Sequence, residues 1–165
     1  MLIDSSYFTK APRHILNATI GTIPTPNAKE VCEAINSFIS TFQLEFLTRM
    51  LGNKVGMAVQ SNLEGCSHGP LSDEYDELCR HLRESFADYI FYKFLGDTTT
   101  QATLTGPVRI KSANTYVAPI DRQVQTWNTM VNRNRIFREW VKSDCKITGI
   151  EISDAMLTKI NNLNL

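Results

Sequence analysis

Cys66-x-His68 followed by Cys79-x-His81 sets four potential zinc ligands within sixteen residues. Zinc clusters usually pair ligands two to four residues apart across a turn. Cys79 and His81 instead fall two apart on an expected helix, where side chains at that spacing diverge by about 200° around the axis. The set therefore does not predict a metal centre. Nucleophilic catalysis needs a cysteine or serine held beside a base, and His14, His68 and His81 supply bases. No Gly-x-Ser-x-Gly elbow or Cys-Gly signature surrounds a candidate nucleophile, and no glycine-rich phosphate cradle occurs. The carboxylates Asp73, Glu74, Asp76 and Glu77 are accounted for by their place at the start of a helix, where the helix dipole favours negative charge. No enzymatic activity, metal or cofactor is expected.

The remaining chemistry is electrostatic. Lys+Arg and Asp+Glu balance at 17 each in 165 residues, but unevenly along the chain. Glu64 to Asp88 carries seven acids against Arg80 and Arg83, whereas Gly106 to Lys146 carries eight basic residues against Asp121, Glu139 and Asp144. Arg109, Lys111, Arg122, Arg133, Arg135 and Arg138 form a set that can meet phosphate or a charge-complementary surface. No helix-turn-helix spacing or aromatic platform accompanies them, so sequence-specific readout of nucleic acid is not expected. The acidic and basic regions suit head-to-tail docking of copies, and equally two ordinary solvated faces.

The elements that must position these residues are mainly helical. A chain of this length with 42% hydrophobic residues makes one domain with its own core. Residues 1–26 read as an irregular lead punctuated by Pro12, Gly21, Pro24 and Pro26, with a helical turn or two over Arg13 to Ile20. Asn27 offers a cap, and Val31, Ile35, Phe38, Ile39, Phe42, Phe46 and Met50 then recur at helical spacing until Gly52. A short helix follows over Asn53 to Asn62. Ser72 is positioned to cap the next long helix, whose stripe includes Tyr75, Leu78, Cys79, Leu82 and Phe86. From Tyr89 to Leu95 that helix is apolar on every side, so other elements or other subunits must wrap it. Gly96-Asp97 ends this first helical part, residues 27–95.

Residues 96–118 are Thr-rich and broken by Gly106-Pro107, with β-branched types on either side. They read as an extended arm or β-hairpin, since an exposed connection of this length costs ordering entropy and adds little core. Pro119 opens a third long helix through Val124, Trp127, Met130 and Val131, with a kink expected at Asn132 to Arg135. Ser153 is placed to cap a short final helix over Asp154 to Ile160. The expected architecture is thus a bundle of three long helices plus one or two short ones, with the arm between the second and third long helices. Phe42, Phe46, Leu82, Phe86 and Trp127 are the expected core.

Four widely spaced cysteines imply no disulfide framework, and Cys32 and Cys79 lie on apolar stripes. Met1-Leu-Ile-Asp-Ser-Ser-Tyr7 lacks a charged lead with an apolar stretch, and no apolar run approaches the roughly 18 residues of a membrane span. The expectation is that the protein is made and kept in a reducing cytoplasm, with no membrane partner.

The run Ile35-Asn-Ser-Phe-Ile-Ser-Thr-Phe-Gln-Leu-Glu-Phe-Leu-Thr-Arg-Met-Leu-Gly52 resembles the opening helix of head-to-tail connectors, the adaptor or head-completion neck proteins of tailed bacteriophages, of the Bacteroides-phage type. The block Phe86 to Asp97, the Thr-rich segment with Gly106-Pro-Val-Arg-Ile-Lys111, and Val124-Gln-Thr-Trp-Asn-Thr-Met-Val131 look like the second half of the same family. The chain departs from the family pattern at Gln43-Leu44, where an acidic or aromatic pair is usual, and at Lys54-Val-Gly56, where bulkier residues are. The resemblance implies a helical homo-oligomeric ring, commonly of twelve copies, in the virion neck between capsid and tail. Its partners would be the portal protein and tail or further neck proteins, and packaged DNA would pass through without sequence-specific binding. In such a ring the arm residues Thr98, Thr99, Thr100, Leu104, Val108, Ile110 and Tyr116 are the candidate contacts to a neighbour or portal. Two readings of other classes stand beside it: a small helical module that binds a host partner, and a non-specific DNA-binding accessory protein.

Overall fold

In the computed structural model, residues 1–18, 26–65, 72–98, 100–103, 106–109, 119–161 and 163 are described. Among them the chain is mainly α-helical, with α1 at Pro26–Leu51, α2 at Asn53–Leu63, α3 at Ser72–Thr98 and α4 at Pro119–Ser143. Two four-residue strands, β1 at Thr100–Thr103 and β2 at Gly106–Arg109, pair antiparallel with Thr100 opposite Arg109 and Thr103 opposite Gly106. Short 3-10 helices form at Ser5–Phe8 and Asp154–Leu157.

α3 is the central element, packed against α1, α2 and α4. Its side toward α1 is an aromatic seam in which Phe46 meets Phe86 at 4.9 Å between ring centroids and Phe38 meets Phe94 at 5.7 Å. The order of these pairs makes the two helices antiparallel. α4 runs antiparallel to α3 in turn, with Trp127 at 4.9 Å from Tyr92 and Trp140 stacked on His81 at 4.0 Å. Ser85 through Phe91 are all buried, and the elements that cover them belong to the same chain. The apolar end of α3 is thus wrapped within the monomer as far as Phe91, and Tyr92 to Gly96 are half-buried.

α1 turns into α2 through Gly52, whose φ of +78° is a conformation that L side chains rarely adopt. Gly56 lets the two helices touch backbone to backbone. A Cβ there would sit 2.9 Å from the Leu47 carbonyl carbon and the Thr48 Cα, closer than side chains are ever found. Gly56 is therefore what permits the hairpin to close.

Several sequence expectations need correction. The N-terminal lead is irregular but not peripheral, since Leu2, Ile3, Phe8, Ile15 and Ala18 are buried in the main core. Residues 13–18 form no helix. α1 starts at Pro26, one residue before its expected Asn27 cap, with proline in the first-turn position that suits its fixed φ. Ser72 is the first residue inside α3, and its hydroxyl lies 3.0 Å from Asn62 Oδ1, tying α3 to the end of α2. α3 passes through Gly96-Asp97 to Thr98. α4 is unbroken through Asn132 to Arg135. The final helix is a single 3-10 turn in which Met156 is the buried residue, while Leu157 and Ile160 are half-buried. Phe46, Leu82, Phe86 and Trp127 lie in the core as expected; Phe42 is half-buried at its edge, with the Lys93 ammonium 4.7 Å above its ring.

After α4 the chain doubles back as an extended strap. Ser153 N–H donates to the Arg49 carbonyl at 2.8 Å, satisfying an end of α1 that has no intrahelical partner. Asn128 grips the strap from both sides, its amide donating to Ile160 O and its oxygen accepting from Ile160 N, each at 3.0 Å.

Candidate functional site

The densest polar chemistry sits between the N-terminal segment, α3 and α4. Asp88 is buried on α3, and Arg13 reaches it from the N-terminal segment, donating from Nη1 to Oδ1 at 2.8 Å. The same guanidinium donates to the Glu84 carbonyl at 3.2 Å and to Glu84 Oε2 at 2.5 Å. Arg133 of α4 approaches from the other side, with Nε 2.9 Å from Asp88 Oδ2 as an ion pair outside hydrogen-bond geometry. Burial pushes the Asp88 carboxyl above its ordinary pKa, opposed by Arg13 and Arg133. One turn away on the same face, the Ser85 hydroxyl bonds the Asn134 side-chain oxygen, and the Asn134 amide donates to Met156 O at 2.8 Å.

This cluster locates four members of the basic set. Arg133 is tied to Asp88 and Glu84. Arg135 donates twice to the Leu157 carbonyl, Arg138 pairs with Glu139, and Arg122 donates to Pro12 O while lying 4.8 Å over the Phe91 ring. These arginines serve different contacts on different faces rather than forming one phosphate-facing row. Arg109 is placed by its backbone in β2, and Lys111 lies outside the described residues.

The arm candidates divide likewise. Thr98 ends α3, Thr100 belongs to β1 and Val108 to β2, each placed by its backbone. Thr99, Leu104, Ile110 and Tyr116 lie outside the described residues, as do Cys66 and His68 of the zinc-like set. The other half of that set does not converge: Cys79 is buried, while the exposed His81 ring stacks on Trp140. Burial, reinforced by Asp76, pushes the Cys79 thiol up to about 11, so it stays protonated and unreactive at neutral pH. Among the described residues no group of three or more His, Cys, Asp or Glu side chains is arranged to hold a metal ion. No helix among them is long and apolar enough to cross a membrane.

Sequence reasoning missed Arg13, Asp88, Ser85 and Asn134. A usable signal existed in α3, where Ser85 and Asp88 interrupt an apolar run one turn apart, and in the Asn132-Arg-Asn-Arg135 run read as a kink. Gln43, noted as a departure from the connector pattern, is a buried clasp. Its Oε1 accepts from Leu2 N at 2.7 Å and its Nε2 donates to Gln60 at 2.8 Å, fastening the N-terminal segment to α1 and α2.

The chain matches no protein-family model, no curated protein and no solved structure.

Proposed function

We propose that this protein is a structural virion component, a head-to-tail connector subunit that forms a ring between portal and tail and prolongs the DNA channel. The observation that carries the reading is the division of labour along the chain. The bundle core draws on residues 2–95 and 127–160, and between these the chain leaves α3 as a β1–β2 pair that meets the helix end leading into it. A sheet of only two strands among the described residues suits strand addition to a neighbour, in which backbone hydrogen bonds supply affinity and alternate side chains set register. Repeating one heterologous contact around a closed ring multiplies a modest interface energy. The sequence resemblance to neck proteins adds to this; on that reading the ring sits in the virion neck after synthesis in the host cytoplasm. The DNA-binding alternative has less support, because Arg122, Arg133, Arg135 and Arg138 serve separate contacts rather than forming one phosphate-facing row.

The test removes the arm. Replacing residues 97–118 with a short Gly/Ser linker should leave the far-ultraviolet circular dichroism of a helical monomer and abolish co-assembly with portal or neck components. Loss of the helical signal would make the arm part of the core, and co-assembly that survives the deletion would remove it from the interface.

A further inference from the structure

A cleft of about 140 Å³ opens beside the buried ion cluster, lined by Pro12, Arg13, Asp88, Phe91 and, on α4, Arg122, Gln125, Thr126 and Thr129. Its size suits a group of a few non-hydrogen atoms. Two guanidiniums reach it, and each is fixed in place. Arg122 is held by stacking on Phe91 and by its bond to Pro12 O, while Arg13 is held by Glu84 and Asp88. Arg13 is 8% exposed and lines the cleft; its Nε and the Asp88 Oδ2 make no hydrogen bond and are buried behind the cleft wall. Among the lining residues and their ion-pair partners, the guanidiniums of Arg13, Arg122 and Arg133 outnumber the carboxylates of Glu84 and Asp88 by one. A surplus positive charge with oriented N–H donors favours an anion, and guanidinium forks favour an oxyanion.

The threonines narrow the choice. Thr126 Oγ1 donates to the Arg122 carbonyl and Thr129 Oγ1 to the Gln125 carbonyl, each at 2.8 Å. With their protons committed to the helix backbone, both hydroxyls turn acceptor lone pairs to any ligand. A ligand satisfied here must accept from arginine and also donate a hydroxyl proton. Protonated phosphate does both, whereas sulfate at neutral pH only accepts.

We propose that the cleft between the N-terminal segment and α4 binds phosphate, free or as a monoester, through Arg122 and Arg13, and selects its protonated form through Thr126 and Thr129. The assignment does not depend on the connector reading, because the cleft lies within the bundle of one chain.

Thermal unfolding of the full chain at pH 6.5 in inorganic phosphate, sulfate or chloride, at matched ionic strength, tests it. Phosphate at about tenfold over its Kd should raise Tm by roughly 3–6 °C above sulfate. Sulfate is the necessary control because it stabilises proteins generally by exclusion from their surface. Arg122→Gln should abolish the phosphate increment, and Arg138→Gln, an arginine on another part of α4, should keep it. Thr129→Val, which removes one acceptor from the helix surface, should shrink the preference of phosphate over sulfate without lowering Tm in chloride. Equal shifts in phosphate and sulfate, or a phosphate increment that survives Arg122→Gln, would overturn the assignment.

Discussion

The two long faces of α3 are built on different principles. Toward α1 the contacts are rings: Phe94, Tyr89 and Phe86 meet Phe38, Phe42 and Phe46, and one polar bond joins them, from the Tyr89 hydroxyl to Glu45 at 3.0 Å. Toward α4 the apolar contact of Tyr92 with Trp127 gives way within a turn to Asp88 with Arg133, and then to Ser85 with Asn134. Ring packing does not assign each atom a single partner, whereas hydrogen bonds and ion pairs need a specific partner at a set distance and angle. The α1 seam is therefore mainly apolar, and the α4 seam adds the polar contacts that fix the axial register. Register matters at α4 because Trp127, Asn128, Asn134 and Arg135 also hold the C-terminal strap, through Thr158, Ile160, Met156 and Leu157.

The contrast breaks most visibly on the aromatic side. Phe86 is fully buried against Phe46, so Phe86→Ala removes a large apolar side chain and leaves a cavity. We expect a loss of about 3–5 kcal/mol in urea unfolding. A loss below about 1 kcal/mol would mean that the ring seam contributes little to stability.

The ionic rung should come next. Asp88→Ala leaves the Arg13 and Arg133 guanidiniums facing one another beside a half-exposed Glu84, and should cost about 2–4 kcal/mol. Its pH dependence has a definite sign. Burial raises the Asp88 pKa in the folded state, so the protonated form is favoured there more than in the unfolded chain. That contribution is fully present below the unfolded carboxyl value and is lost as pH rises through the folded one. Wild type should therefore gain stability relative to Asp88→Asn as pH falls through the acidic range. A difference moving the opposite way would show that the guanidiniums outweigh desolvation.

The same contrast explains what could be read from the sequence. Periodic apolar spacing exposed the aromatic seam in advance, because Phe42, Phe46, Leu82 and Phe86 obey the helical repeat. Pro119 and Gly52 marked boundaries through backbone chemistry that acts locally. The polar seam stayed hidden because its partners are far apart in sequence: Arg13 to Asp88 spans 75 positions and Ser85 to Asn134 spans 49. No periodicity encodes such a match, and a buried arginine in an irregular segment looks like a solvated one. For the same reason residues 1–26 read as an irregular lead, although Phe8 is wholly buried. The cleft was illegible too, since Arg122 and Arg13 come together only through the fold.

The smallest expected effect is also the sharpest test of the register argument. Asn134→Leu keeps volume in the buried seam but removes both bonds, leaving the Ser85 hydroxyl and the Met156 carbonyl without their partner. The cost expected from two stranded polar groups is about 1–3 kcal/mol. If the polar seam only added stability, the double variant Ser85→Ala/Asn134→Leu would be as unstable as the single one or worse. If it specifies position, pairing two apolar groups should recover much of the lost stability, since the stranded hydroxyl is gone. The strap, no longer held at Met156, should still exchange its backbone amide hydrogens faster near Met156 and Thr158 than wild type. Recovered stability with unchanged exchange would show that Trp127 and Asn128 hold the strap without the polar seam.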